Sequence, residues 1–373
     1  MISLDRREFL ATLAASTLLV PNLSFATSTT PSTARYFSAR VSQDGRYFVS
    51  GFNGSSQHLF DTPLPTRGHG LAIHPTLNHV TAVARRPETY LIVINSETGE
   101  IIHHHESKEG RHFYGHSIYS TDGRWFYTTE NDIEMGNGYI GVRDVSSGYK
   151  QVAEFSSYGI GPHELNLLSD GKTLVVANGG ILTRPETGRR KLNLDTMLPS
   201  LTYIDATSGE LLEEHHLPKA LHRNSIRHFA VNANDEICIA MQYQGSASDR
   251  PPLVGMHRQG EKIQLIQAPE KVQEQMRNYC GSVCTDVSNH WFAVSSPKGN
   301  LVTFWSVKHR EYVGSIEIND GCGIAAGNKN GEFILSSGVG GIYSYRVGHG
   351  QLEPLVEISK LDTRWDNHIA RTM

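Results

Sequence analysis

Gly161-Pro162-His163-Glu164-Leu165-Asn166-Leu167-Leu168-Ser169-Asp170-Gly171 is a short apolar strand that runs into an Asp-Gly turn. It is one copy of a phrase. Gly68-His69-Gly70-Leu71-Ala72-Ile73-His74-Pro75 and Gly115-His116-Ser117-Ile118-Tyr119-Ser120-Thr121-Asp122-Gly123 are two more, and the three histidines stand 47 residues apart each time. The phrase returns as Arg227-His228-Phe229-Ala230, as Tyr279-Cys280-Gly281-Ser282, as Gly321-Cys322-Gly323-Ile324 and, truncated, as Asn367-His368-Ile369-Ala370. Self-similarity at this period is the mark of a repeat architecture.

Each phrase leads into a further strand through a turn such as Ser169-Asp170-Gly171-Lys172, where Gly takes up the positive φ of a tight hairpin. A third strand then meets a second hairpin signal, Asn95-Ser96-Glu97-Thr98-Gly99 or Asp205-Ala206-Thr207-Ser208-Gly209, and a fourth closes the unit. Four antiparallel strands in about 45 residues make a propeller blade. Six blades begin near residues 68, 115, 162, 227, 280 and 321. The seventh is split: residues 35–64 supply three strands and Asn367 to Met373 the innermost one. The expected fold is all-β, a seven-bladed propeller over 35–373 whose ring is closed by pairing its N- and C-terminal strands, which leaves no open edge.

The first 26 residues read as a signal peptide, with 27–34 as a short linker. Arg6-Arg7-Glu8-Phe9-Leu10 precedes a short apolar stretch and the small-x-small pattern Ser24-Phe25-Ala26, which suits twin-arginine export and a periplasmic location. No stretch of the mature chain reaches the roughly 20 apolar residues of a membrane span. A net charge of -4 carries no basic footprint, so nucleic acid is not an expected partner.

In a propeller the first strand of every blade lines the central channel, so equivalent positions converge at its mouth. Here they are His69, His116, His163, His228, Cys280, Cys322 and His368. Imidazoles and thiols are transition-metal ligands, and the set points to copper or iron ahead of zinc. The register is imperfect: His116 and His228 fall one residue late relative to the next turn, and Cys280 falls early. A one-residue slip turns a strand side chain to the other face. Two other roles stay open, histidines that tie neighbouring blades together and a Cys280–Cys322 disulfide. Cys238, within Ile237-Cys238-Ile239, is expected in the core, and His103-His104-His105 and His215-His216 on outermost strands. Long loops, Gly179 to Pro199 above all, are expected on the face of the ring. Arg85, Arg86, Glu130 and Asn178 are expected at the same mouth, with Glu164 as a ligand-binding carboxylate.

Pro162-His163 through Gly171 resembles the blade phrase of YVTN-type and lactonase-like propellers. With the arginine-pair signal, Arg67-Gly68-His69-Gly70, Ala84-Arg85-Arg86-Pro87 and the Cys-for-His change in later blades, the whole chain resembles a bacterial family of exported propellers of unassigned function. That resemblance implies a setting among iron-uptake and imelysin-like proteins, and hence an iron-uptake or redox partner, but no mechanism. Three functions follow from the sequence: a periplasmic metal-handling or redox accessory protein, a lactonase-like hydrolase using a divalent ion, and a binding or scaffold propeller without chemistry. No phosphate-binding glycine loop, Gly-x-Ser-x-Gly elbow or His-Glu-x-x-His motif is present, and catalysis itself stays open.

Overall fold

The computed structural model describes residues 35–188 and 190–372. The proposed signal peptide and linker lie outside the described residues. Twenty-eight strands form seven four-stranded antiparallel sheets. The second blade shows the plan: Gly68–Ile73 innermost, then His79–Ala84, Tyr90–Asn95 and Ile101–Glu106 outward. The innermost strands of the next five blades are Arg111–Tyr119, Pro162–Leu167, Asn224–Val231, Ser282–Thr285 and Gly321–Ala326. Each packs against its predecessor and successor around a closed circle. Among the described residues two short α-helices, Glu270–Gln275 and Val356–Ser359, sit in connections.

Strand periodicity explains how the blades stack. In His79–Ala84 the run from Val80 is buried on both faces. Val80, Ala82 and Ala84 join Phe37, Val49 and Phe60 of the first blade, whereas Val83 joins Phe113, Phe126 and Tyr149 of the third. Alternate side chains thus feed successive interfaces. Seven such clusters fill the seven interfaces.

The first blade is closed by the far end of the chain. Thr363–Arg371 lies inside Arg35–Ser42, with Tyr36 opposite Arg371 and Ser38 opposite Ile369. The inner strand begins at Thr363, four residues before the expected Asn367. The extra turn brings Trp365 against Phe52, ring centroids 6.0 Å apart, in the core shared with the seventh blade. Among the described residues no helix is long and apolar enough to cross a membrane.

Candidate metal centre

Every histidine of the ring sits at an irregularity of its inner strand. The ladder between Gly68–Ile73 and its neighbour slips between Gly68 and Leu71, bracketing His69. Equivalent slips bracket His116 between Phe113 and Ser117, and His163 between Pro162 and Leu165. His228 ends the slip that begins at Ile226, and His368 lies in the one between Trp365 and Ile369. A bulge adds a residue to one strand and re-aims its side chain. That absorbs the offset of His116 and His228, so all five imidazoles project into the channel.

There they form one cluster. His69 lies 4.9 Å from His116 and 4.5 Å from His368, His116 4.6 Å from His163, and His163 4.5 Å from His228, between ring centroids. The cluster also closes across the channel, with His116 and His368 4.8 Å apart. Two sets, His69–His116–His163 and His116–His228–His368, bring one potential ligand atom from each member within 4.8 Å of the others. Glycine makes the packing possible. Gly115 has φ +94°, and a Cβ there would stand 2.7 Å from Cδ2 of His69.

Two carboxylates fix the rings from behind. Nδ1 of His69 lies 3.1 Å from Asp366, which Arg67 also pairs. Glu164 bridges two imidazoles, with one oxygen 3.1 Å from Nδ1 of His116 and the other 3.1 Å from Nδ1 of His228. Nε2 of His69, His116 and His368, and Nδ1 of His163, are buried without a hydrogen-bond partner among the described residues. A buried polar nitrogen left unpaired is costly and asks for an explanation. In His69 and His116 a carboxylate behind, the imidazole between and a bare nitrogen in front make the arrangement of a metal-ligating histidine.

The electrostatics keep the rings of His69, His163, His228 and His368 neutral. Burial first, then His116 and Arg85, pull His69 down to about 3 against the opposing pull of Asp366. Burial, with His116 and Arg227, lowers His228 to about 4 despite Glu164. Burial and the neighbouring imidazoles also hold His163 and His368 well below the usual histidine range. Burial opposes ionisation of Glu164, yet contacts with His116 and His228 outweigh it and hold the carboxyl well below its usual range. Neutral imidazole is the ligand form, so protons do not compete for the nitrogens of His69, His163, His228 and His368 near pH 7.

The two thiols do not join the cluster. Cys280 points into the apolar interface between the fifth and sixth blades with Cys238, its Sγ 3.8 Å from the Leu253 carbonyl oxygen. Cys322 turns into the interface of the seventh and first blades, its Sγ 3.3 Å from the Asp366 carbonyl. Burial pushes both thiols up to about 12, and neither forms a disulfide. The shorter side chain is accommodated inside the blade stack, where a thiol behaves as a small hydrophobe. The ring of seven thus becomes five imidazoles on five successive blades.

The rim residues divide in the same way. Arg85 and Arg86 line a cavity of about 1340 Å³ on the face where the inner strands begin. Arg184 and Lys191 of the long loop join them, as do Gln244 and Arg250. Glu130 and Asn178, expected at that mouth, lie elsewhere. Glu130 is fully buried within its blade, 3.3 Å from Arg143 and accepting from Thr128. Asn178, also fully buried, donates to the Ser157 carbonyl of the preceding blade. Both are polar bolts within the stack. Arg227 was not singled out from the sequence, although a signal existed: it stands where the first three phrases have Gly or Pro before the histidine.

Residues 62–372 match the model of the family described as protein of unknown function, DUF1513. The chain belongs to the DUF1513 family. No curated protein matches it. Among solved structures it is similar to Kuenenia stuttgartiensis hydrazine synthase, at 13% identity and a TM-score of 0.62, with 88% of this chain and 99% of that one covered. At that identity the likeness concerns the propeller fold of the DUF1513 chain and nothing of its chemistry.

Proposed function

We propose that this DUF1513 protein is a periplasmic metal-binding propeller that holds a transition-metal ion in its channel for iron or copper handling or as a redox accessory. The observation that carries the reading is the cluster of bare, buried imidazole nitrogens on His69, His116, His163 and His368, with the other nitrogen of His69 anchored on Asp366 and that of His116 on Glu164. An ion with four nitrogen ligands at about 2.0 Å holds them roughly 3.3 Å apart, so the cluster would draw inward from its present spacing. The bare nitrogens and the neutral rings fit that demand. With the thiols turned away the donor set is nitrogen only, which suits copper and iron as well as zinc, and copper binds such sites most tightly. A bound ion would supply redox or Lewis-acid chemistry. The chain's own part is to hold the imidazoles neutral, fix their tautomers and exclude water.

A carboxylate-held divalent ion of the lactonase kind has less support, because Glu164 and Asp366 are already engaged by histidines. The twin-arginine signal favours export of the folded protein with its metal in place, to meet an iron-uptake or redox partner. The test is metal analysis of protein isolated from the periplasm, beside a His69→Ala, His163→Ala variant and a Cys280→Ser, Cys322→Ser variant. Near-stoichiometric copper or iron is expected in the parent and the serine variant and lost from the histidine variant. A parent that retains no transition metal under metal-replete growth, or a histidine variant that retains it unchanged, overturns the reading.

A further inference from the structure

The cavity above the histidines has a charge opposite to that of the protein. The chain as a whole carries -4, yet eight Lys and Arg residues line this cavity against three Glu. Two of the three carboxylates are turned to partners of their own. Glu274 is engaged with Arg250, and Glu317 accepts from Gln275. Arg86, by contrast, donates to the Thr183 hydroxyl and lies over the Tyr114 ring, 5.7 Å from its centroid. Arg227 donates from Nε to Ser225, and Lys298 stands 4.3 Å above the centre of the Tyr279 ring. Among the described residues none of these three cations has a carboxylate within ion-pair distance. They are held instead by hydroxyls and aromatic faces, which position a cation without discharging it.

Like charges held together in a half-buried hollow are costly unless something compensates them. Here the arrangement is built deliberately. Arg86 and Arg227 come from different blades, and Lys191 is presented by the long loop, donating to Gln244. A second, smaller cavity of about 420 Å³ shares Arg85, Tyr279 and Lys298 with the first and reaches Arg67 and Asp366, the groups behind His69. The cationic hollow therefore leads down toward the histidine cluster. Its concavity and volume suit a small molecule rather than a flat macromolecular surface. Guanidiniums with free N–H edges recognise planar and tetrahedral oxyanions in bidentate fashion.

We propose that this cavity is a binding site for a small, multiply charged oxyanion bearing carboxylate or phosphate groups, with Arg86 and Arg227 as its principal contacts and Lys298 and Lys191 around them. The site is independent of whether metal occupies the histidines. The low-dielectric hollow strengthens each contact, and the excess of cations gives this opening a local charge that attracts anions to a chain of net negative charge.

The experiment is isothermal titration of citrate and of pyrophosphate, at near-physiological salt, into metal-free protein prepared by dialysis. Acetate and chloride serve as monovalent comparisons. Both the parent and the His69→Ala, His163→Ala variant are titrated, so that loss of the metal reading leaves this test intact. Saturable 1:1 binding of citrate, of pyrophosphate or of both is expected, equal in the two proteins. Citrate alone identifies a polycarboxylate site, pyrophosphate alone a phosphate site, and both a general oxyanion site. Arg86→Gln and Arg227→Gln should each weaken binding at least tenfold. Their melting temperatures without ligand should equal or exceed the parent's, because a repulsion has been removed. Arg86→Lys, which keeps the charge and loses the fork, should fall between. The proposal is overturned if neither probe binds more tightly than acetate, if the glutamine variants bind as the parent does, or if binding disappears with the histidine pair.

Discussion

Acidifying the metal-free protein should unfold it well before ordinary acid denaturation, and the size of the effect follows from the histidine cluster. His69 and His228 are buried and neutral, at about 3 and about 4, against about 6.5 for histidine in an unfolded chain. A depressed folded value means that between these limits the unfolded state binds a proton that the native state refuses. The stability from these groups is therefore complete above pH 6.5 and lost as the pH falls toward 4. At pH 5 each costs about 2 kcal/mol relative to pH 7.5, so the two together remove about 4 kcal/mol. His163 and His368 shift in the same direction and add to it. Asp366 and Glu164, held low, lose their contribution only as the pH falls through the ordinary carboxyl range near 4 and so add little at pH 5. Against a typical total of 5–15 kcal/mol this is a large fraction. The assay is urea unfolding of chelator-treated, dialysed protein at pH 7.5 and pH 5.0, for the parent and for His228→Asn. The asparagine keeps a donor to Glu164 and removes one titrating group, so its pH-dependent loss should be smaller by about 2 kcal/mol. Equal stability of the parent at the two pH values, or an undiminished loss in the variant, would refute the argument.

Trp365→Ala empties the core beneath the closing strand, where Trp365 is 4% exposed, and should cost about 3–5 kcal/mol in urea unfolding at pH 7.5. A loss below about 1 kcal/mol would deny that strand its closing role. Gly115→Ala adds a Cβ at a positive φ against His69 and should destabilise by about 1–3 kcal/mol, with lower metal occupancy measured on the purified protein. Glu164→Gln releases two imidazoles from their shared anchor, and metal affinity in a competition titration should fall roughly 10–100-fold.

The propeller was legible because its evidence is periodic. His69, His116 and His163 recur at 47 residues, and the orphan His368 phrase could only complete a blade that lacked its inner strand. Which ring positions face the channel was not legible. That depends on bulges, which a residue count registers only as an offset. The count raised doubt over His116 and His228, which the bulges restore, and gave no sign that Cys322 would turn outward from the same slip. Glu130 misled for another reason. It precedes the polar run Asn131-Asp132, which continues into a turn and so reads as rim, yet its partner Arg143 comes from the next strand and holds it inside. The cationic cavity was legible only in part: Arg85, Arg86 and the long loop were expected at the mouth, but Arg227 and Lys298 lie far from them in the chain and join them only when the ring closes.

Arg35 and Thr372 hydrogen-bond across 337 residues of chain, and the strand that ends just before Thr372 also carries Asp366 and His368. So distant a pairing is slow to find and is among the last steps of folding. The histidine cluster therefore has a built-in order of assembly: a chain whose other blades have formed still lacks one imidazole and the anchor of a second. Once formed, the cluster is tied to the same seam, and a ligand bridging His368 to its neighbours would act as a bolt across it. Occupancy should then slow the opening of the ring far more than local flexing of any outer strand, making the lifetime of the closed circle itself a gauge of what the channel contains.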